Sequence, residues 1–296
     1  MKKKLILLLF CNGLLMSLAA QKIEVKEPQL VKEAGSEAYY PKFTPDGKTI
    51  LLTGGSYEGL RAFSLETKKV KQLSSAMGAG WNTVISDDSQ SVCYQEIEIT
   101  ENNPIGFTTF YSRSLASQEV EQLTPPVAKS DARPPLGMLK SKAAIKSPVL
   151  VYINEDVKLV IEKDGRKIIM TPNGADEAYI WPALSPDGKK IVYTVASLEQ
   201  TFICDLSGRI LAELGRLHAC QWLNNDWVVG MDDKDDGHAL LSSNLVAVSA
   251  DGKEKQDLTP AKGKLAAMYP AISPAGDKIA FNTPDGNLYI MDVVVK

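Results

Sequence analysis

Two histidines and four cysteines are all that 296 residues offer to soft-metal or thiol chemistry. His218 and His238 are too few for a His-rich metal cluster, and no His-Glu-x-x-His pair of ligands occurs. A nucleophile elbow of the Gly-x-Ser-x-Gly kind is also missing: the run Gly55-Ser56-Tyr57-Glu58-Gly59 holds the letters at the wrong spacing. The 33 basic and 36 acidic residues nearly cancel, and neither sign forms a long run, which argues against nucleic acid or an anionic membrane surface as partner. Beyond residue 20 no apolar stretch approaches the roughly 18 residues of a membrane span.

What is present begins with a leader. Lys2, Lys3 and Lys4 precede an apolar core that ends in small residues at Ala19-Ala20, the pattern of a secretory signal peptide over residues 1–20. Cys11-Asn12-Gly13 interrupts the core, so it makes a poor membrane span. Cys11 raises a lipoprotein alternative, but Leu8-Leu9-Phe10 lacks the small residues of a lipid-attachment site, and cleavage near Ala20 is the preferred reading. The expectation is an exported protein, periplasmic or otherwise outside the cytoplasm and soluble once cleaved, with residues 21–296 as one domain. Of the remaining cysteines, Cys93 and Cys204 lie in apolar segments and read as small buried hydrophobes. Whether Cys204 and Cys220 are bridged is not decided by their spacing.

The clearest stretch is Tyr179-Ile180-Trp181-Pro182-Ala183-Leu184-Ser185-Pro186-Asp187-Gly188, followed by Lys189-Lys190-Ile191-Val192-Tyr193. Two apolar segments flank a turn in which Pro fixes φ, Asp bonds the following backbone and Gly accepts positive φ. The unit recurs at Tyr40-Pro41 through Gly47 and at Tyr269-Pro270 through Gly276, and in worn form around Ser86-Asp87-Asp88-Ser89. Units of about 45 residues, each able to hold four strands, predict a β-propeller. Six units fit: 38–74, 80–124, 131–171, 179–214, 218–258 and 268–296, the third placed only by apolar runs at 149–153, 158–162 and 166–170. The last unit is one strand short, while residues 29–32 form a spare strand at the other end of the domain. Giving that strand to the outer edge of the sixth blade closes the ring and removes an exposed edge. The fold expected is all-β, a six-bladed propeller of four-stranded antiparallel blades.

The Ser-Pro-Asp-Gly-Lys-Lys-Ile-Val-Tyr unit, with Trp-Pro or Tyr-Pro before it and Leu-Thr closing the previous blade, resembles the repeat of the TolB family, which also builds the propellers of prolyl oligopeptidase relatives. The resemblance covers nearly all of residues 21–296 and is strongest at the first, fourth and sixth units. It implies an isolated propeller: TolB's additional α/β domain and the peptidases' hydrolase domain have no counterpart here, so neither translocation nor peptidase chemistry carries over.

In such a propeller the Pro-Asp-Gly turns share one face, and the longer segments 54–59, 96–104, 197–200 and 232–243 share the other. Around the opening on that loop-rich face stand Tyr39, Tyr40, Trp81, Tyr179, Trp181 and Tyr269. Aromatic rings on scaffolded loops suit a peptide or glycan. Tyr40, Trp181 and Tyr269 recur beside Pro and read first as packing between blades; Tyr57 and Trp81 are the sharper candidates, with Tyr39, Tyr179 and His238 beside them. His238 otherwise reads as a solvated loop residue and His218 as the opening residue of a strand. The run Asp232-Asp233-Lys234-Asp235-Asp236 supplies hard oxygen donors, with Asp232 and Asp236 as candidate calcium ligands. Lys234 and Ser243 stand where a calcium loop wants donors, so a solvated hairpin is the better reading and no cofactor is required. Glu96, Glu98 and Glu101 alternate with apolar residues like the exposed face of a strand. The function expected is a non-catalytic scaffold of the bacterial cell envelope that binds protein, peptide or glycan; the alternative is a lyase or glycosidase using carboxylates on the loop-rich face.

Overall fold

The computed structural model describes residues 22–101, 103–127, 149–154, 156–163, 166–260 and 265–296. The Ser-Pro-Asp-Gly turns close on their own side chains. Thr44 donates its hydroxyl to Asp46 at 2.6 Å and Ser185 does so to Asp187 at 2.7 Å, and each carboxylate then accepts the N–H of Lys48 or Lys189. Gly47 and Gly188 sit at φ of 70° and 69°, where a Cβ would be strained. The worn copy keeps this chemistry: Ser86 donates to Asp88 at 2.7 Å, and Ser89 takes the glycine position at φ 58°. In the sixth unit Ala275 stands in the Asp place, and Asp277 accepts from Ser273 instead, at 2.7 Å.

Two short strands open the described chain, β1 (Ile23–Val25) and β2 (Gln29–Leu30). Blade 1 is β3 (Tyr39–Phe43), β4 (Thr49–Thr53), β5 (Leu60–Ser64) and β6 (Val70–Ser74). Blade 2 is β7 (Val84–Ile85), β8 (Ser91–Thr100), β9 (Asn103–Ser114) and β10 (Val120–Gln122). Blade 3 shows β11 (Val149–Ile153), β12 (Leu159–Lys163) and β13 (Arg166–Met170). Blade 4 is β14 (Tyr179–Leu184), β15 (Lys190–Val195), β16 (Gln200–Asp205) and β17 (Ile210–Gly215). Blade 5 is β18 (His218–Trp222), β19 (Trp227–Asp235), β20 (Leu240–Ser249) and β21 (Lys255–Asp257). Blade 6 is β22 (Met268–Ile272), β23 (Lys278–Asn282) and β24 (Leu288–Val295).

The N-terminal segment supplies the missing outer strand, in two pieces. Ile23 pairs with Val295 and Val25 with Val293, then Gln29 pairs with Ile290 and Leu30 with Tyr289. The break falls at Pro28, which has no N–H to give the ladder. The closing strand therefore starts earlier than the expected 29–32, and Lys32 belongs to a short 3-10 turn, Lys32–Ala34. The cores lie between blades. Phe43, Ile50 and Phe63 pack with Ala280 and Leu288 between blades 1 and 6; Ile203 and Val192 pack with Trp222, Val228 and Val246 between blades 4 and 5. Second strands such as β15 are buried along most of their length because blades cover both faces. Each such side chain contributes about 1.5–3 kcal/mol by burial.

Two segments counted among the longer loops are largely hairpin arms, the first as the alternation of Glu96 and Glu98 with apolar residues implies. Residues 96–100 extend β8 against β9, because Glu96-Ile97-Glu98-Ile99 continues the period of two; Asp232 through Asp235 likewise extend β19 against β20, leaving 236–239 as the tip. Cys93, Cys204 and Cys220 are free and buried, so no bridge joins the last two. The leader 1–20 with Cys11, and the start of the third unit from Asp131 with Pro134 and Pro135, lie outside the described residues. Among the described residues no helix is long and apolar enough to cross a membrane.

Candidate functional site

In blades 1, 4, 5 and 6 the inner strand is an edge strand facing the central opening, and its register breaks near its start. Bulges interrupt β3 after Tyr39, β14 after Ile180, β18 after His218 and β22 after Met268. At these points Tyr40, Trp181, Ala219 and Tyr269 take φ between 49° and 51°, and Asn82, just ahead of β7, is at 50°. Left-handed backbone at a residue other than glycine costs about 1–3 kcal/mol and persists only where the surroundings impose it. A bulge re-aims the side chain it carries. Pro follows in three of the five cases, which an edge facing an opening tolerates because no ladder partner awaits its N–H.

Three of the re-aimed side chains are aromatic. Tyr40 of blade 1 meets Tyr269 of blade 6 edge-on at 4.5 Å between centroids and stacks on Tyr57 at 4.3 Å, and Tyr57 meets Trp81 edge-on at 4.6 Å. Two of the rings read as packing, Tyr40 and Tyr269, and two read as binding, Tyr57 and Trp81, thus form one continuous ladder over blades 2, 1 and 6. Each contact contributes about 0.5–1.5 kcal/mol beyond area burial. Tyr57 is presented by the 3-10 turn Gly55–Tyr57 and is itself at φ 61°. Trp81 is held by backbone: Gly80 donates to the Tyr57 carbonyl at 3.1 Å, and a Cβ on Gly80 would fall 2.2 Å from the Thr53 hydroxyl. Trp81 remains 41 % exposed. Burial pushes the Tyr57 hydroxyl pKa up, helped by Tyr40 and Tyr269, and burial with Tyr40 raises that of Tyr269 to about 12, so these rings stay neutral.

The other side of the opening is polar. Trp181 of blade 4 lies 5.2 Å from the ring of His218, and Nδ1 of His218 is 2.7 Å from Asp233 Oδ1. Asp233 Oδ1 is nevertheless a buried atom with no hydrogen-bond partner, so ring and carboxylate approach closely without hydrogen-bond alignment. Asp233 is 7 % exposed. Its charge reaches Tyr269, for which it is one of the causes of the raised pKa. Two residues further along the inner strand than Tyr40, Lys42 donates to the Thr83 carbonyl of blade 2 at 2.6 Å. Lys42 is crowded by the inner strands yet in contact with water, and the crowding lowers its pKa to about 8.

The remaining candidates are placed as follows. Tyr39 is half-buried and donates to the Pro284 carbonyl at 3.0 Å, a tie between blades 1 and 6. Tyr179 is fully buried beside Tyr193, its hydroxyl donating to the Gly174 carbonyl at 2.9 Å, so it packs the blade and does not face the opening. His238 is exposed at the tip of the β19–β20 hairpin. Asp232 pairs through Oδ2 with Lys255 at 3.2 Å, and Asp236 Oδ1 accepts the N–H groups of His238 and Ala239. Among the described residues no three His, Cys, Asp or Glu side chains converge. The pairing of His218 with Asp233 and the position of Lys42 are absent from the sequence reading; the signal for Asp233 was its place between Asp232 and Lys234, which on a strand sends it to the opposite, buried face. A separate concavity at the outer edge of blade 6, beside β1 and β2, is lined by Lys26, Lys278 and Asp292, whose charges pair with one another at 2.8–3.0 Å.

No protein-family model matches the chain, nor does any curated protein sequence. Solved structures do. Oligogalacturonate lyase from Vibrio parahaemolyticus superposes with a TM-score of 0.52 at 15% identity over 87% of this chain and 78% of that one. TolB from Acinetobacter baumannii gives 0.52 at 17% over 80% of this chain, which spans 57% of that protein. A protein assigned as TolB from Agrobacterium tumefaciens gives 0.53 at 15%, over 93% of this chain and 99% of that one. At such identity the likeness is one of fold: this chain is a TolB-like propeller, and lyases share that architecture.

Proposed function

We propose that this chain is an exported, non-catalytic TolB-like propeller that binds a peptide or glycan partner in the bacterial cell envelope through the aromatic collar of its loop-rich face. The observation that carries the reading is the ladder Trp81, Tyr57, Tyr40 and Tyr269, in which Tyr40 and Tyr269 sit on strained bulges and the far end is an exposed indole. Large rings on a rigid rim carry a disproportionate share of binding energy. The enzyme reading draws on the lyase neighbours and on His218 with Asp233, a pair that could orient a base. Export rests on the leader alone.

The test compares capture of partners from envelope extracts, and binding to immobilised peptides and glycans, by wild type and by the Tyr57→Ala, Trp81→Ala double variant. Binding lost in the variant, with the fold intact by circular dichroism, supports the collar. Binding unchanged overturns it. Turnover of an envelope polysaccharide that disappears in His218→Gln or Asp233→Asn establishes the enzyme instead. Mass spectrometry of the exported protein is expected to find Gln21 at the N-terminus; a retained Met1 or a lipid on Cys11 removes the export argument as stated.

A further inference from the structure

Acidic residues that are scattered along the sequence are gathered by the fold onto one face. The hairpins β4–β5, β8–β9, β11–β12, β15–β16, β19–β20 and β23–β24 are each tied to a link between blades. Gly80 donates to the Tyr57 carbonyl at 3.1 Å, Ile97 to Met77 at 2.9 Å, Tyr179 to Val157 at 2.8 Å, Ala196 to Ala178 at 2.9 Å, Ala267 to Ser243 at 3.0 Å and Ala38 to Gly286 at 2.8 Å. The hairpin tips therefore share the face of the collar. Every tip carries an exposed carboxylate, in blades 1 to 6 Glu58, Glu98, Asp156, Glu199, Asp236 and Asp285, and Glu101 and Asp235 add a second in blades 2 and 5. No lysine or arginine occurs within 54–59, 98–101, 156–157, 196–199, 235–239 or 283–287. Of these acids only Glu199 and Asp235 meet a cation among the described residues, sharing Arg216 at 3.6 Å each. On the opposite face the carboxylates have their own partners, Asp187 with Lys189, Asp205 with Arg209 and Asp251 with Lys253.

The same tips expose apolar side chains. Ile99, Val157, Leu198 and Leu241 stand in or beside the tips of blades 2 to 5, with Met77 and Trp81 on the link between blades 1 and 2. The other exposed large apolar residues described lie on β2, β6, β10, β13, β17 and β24, and none stands in a Pro-Asp-Gly turn. Three residues before the tip acid of blade 5, Asp233 Oδ1 is buried without a hydrogen-bond partner, within electrostatic reach of Tyr269 in the ladder. Apolar anchors ringed by carboxylates of one sign select a partner by charge as well as by burial. An acidic glycan or nucleic acid is repelled, and so is a second copy presenting the same face. A neutral sugar leaves the carboxylates unanswered.

We propose that the loop-rich face docks a basic amphipathic protein segment, whose lysines or arginines meet the carboxylates of the hairpin tips while its apolar side chains seat among Trp81, Ile99, Leu198 and Leu241. This rests on the binding reading above and narrows it from peptide or glycan to a cationic peptide. The tip charges set the sign and speed of encounter, and the apolar side chains hold the segment once it has arrived.

The test follows the anisotropy of short peptides carrying an uncharged dye, titrated with the mature protein near neutral pH. The first repeats Lys and Leu so that its apolar residues share one face, the second has Glu for Lys, and the third has Ser for Leu. The Lys-Leu peptide should bind, at least tenfold more tightly than either of the others, and should weaken as salt rises from about 50 to about 300 mM. The triple variant Glu98→Gln, Glu101→Gln, Asp156→Asn should weaken it about tenfold. The control triple Glu66→Gln, Glu119→Gln, Glu254→Gln removes the same charge from exposed positions on the opposite face and should change affinity less than about twofold. Leu198→Ser with Leu241→Ser should also weaken binding about tenfold, with circular dichroism unchanged because both side chains are exposed. Equal losses in the two triple variants, equal binding of the Glu-Leu or the Lys-Ser peptide, or no binding of the Lys-Leu peptide up to about 1 mM overturns the proposal. So does a dimer of the protein that dissociates in the double Ser variant, which assigns the face to a second copy. If the Lys-Leu peptide fails while capture of a partner still depends on Tyr57 and Trp81, the collar stands and only the basic segment falls; loss of both removes the two together.

Discussion

Replacing Ile23 by Ala tests whether the ring is closed by β1. Ile23 is 1 % exposed and packs in the core between blades 5 and 6 with Leu245, Met291 and Val293. Its neighbour Lys22 exchanges backbone bonds with Lys296 beside β24, while its own backbone is clamped by the Gln256 side chain of blade 5, whose amide donates to the Ile23 carbonyl and whose oxygen accepts the Ile23 N–H. The substitution leaves those bonds and removes only side-chain carbon, so the cost is transfer plus cavity, about 2–5 kcal/mol. At about 3 kcal/mol the thermal midpoint of a chain this size falls by roughly 6–12 °C. Leu30→Ala is the control: it lies in the second piece of the same outer strand but is 41 % exposed, so its cost stays below about 1 kcal/mol. Both are read by calorimetry and urea unfolding of the mature protein. Equal effects, or a fall of less than about 2 °C for Ile23→Ala, would mean that β1 does not close the ring.

Deleting residues 21–32 should lower the midpoint further than Ile23→Ala, because the backbone bonds to β24 are lost with the side chains; a truncated protein melting like the intact one would refute the parse. Burial raises the thiol pKa of Cys93 and Cys204 to about 12 and that of Cys220 still higher. Ellman's reagent should therefore find no thiol in the native mature protein at pH 8 and three in denaturant, whereas a Cys204 to Cys220 bridge would leave one. Asp205 accepts from the Ser207 hydroxyl and from the N–H groups of Ser207 and Arg209, which lowers its pKa to about 2. Its folded value lies below the unfolded one, so the stability it gives is complete above about pH 4 and is lost as pH falls towards 2; Asp205→Asn should flatten the acid limb of the stability profile over that window.

The turns and the closing strand were legible because their causes are local or countable. A Ser, an Asp two residues on and a residue tolerant of positive φ close a turn wherever they occur, which is why Ser86-Asp87-Asp88-Ser89 works without Pro or Gly. A missing strand at one end and a spare one at the other have a single economical solution. The collar was half legible, and the reason is the bulge. Tyr179 and Trp181 are two apart, and on a regular strand they would share a face. The register shift between Ile180 and Ala183 separates them, sending Tyr179 into the blade and Trp181 towards His218. Nothing in composition or period marks a bulge, so a regular strand puts both rings around the opening, with Trp181 read first as packing between blades. The same defect hid the polar sector: a loop reading of residues 232–243 carries no inward face, whereas a strand has one, and Asp233 is on it.

Whether these bulges serve packing or binding turns on what they carry. Interblade packing alone would ask for similar residues at every equivalent position, since each blade meets its neighbour in the same way. The left-handed positions instead hold Tyr40, Asn82, Trp181, Ala219 and Tyr269, and the backbone strain is retained in all five while the side chain varies from indole to methyl. Strain that survives at Ala219, where no ring has to be accommodated, is better explained by the strand end it re-aims, which is His218. Ala219→Gly decides between the two. Glycine adopts positive φ freely, so relief of the strain should raise the midpoint of the protein by a few degrees, while the freer backbone loosens His218 and weakens binding of the collar's partner. Under a packing role the stability gain appears without any loss of binding, and that result would return the bulges to the scaffold.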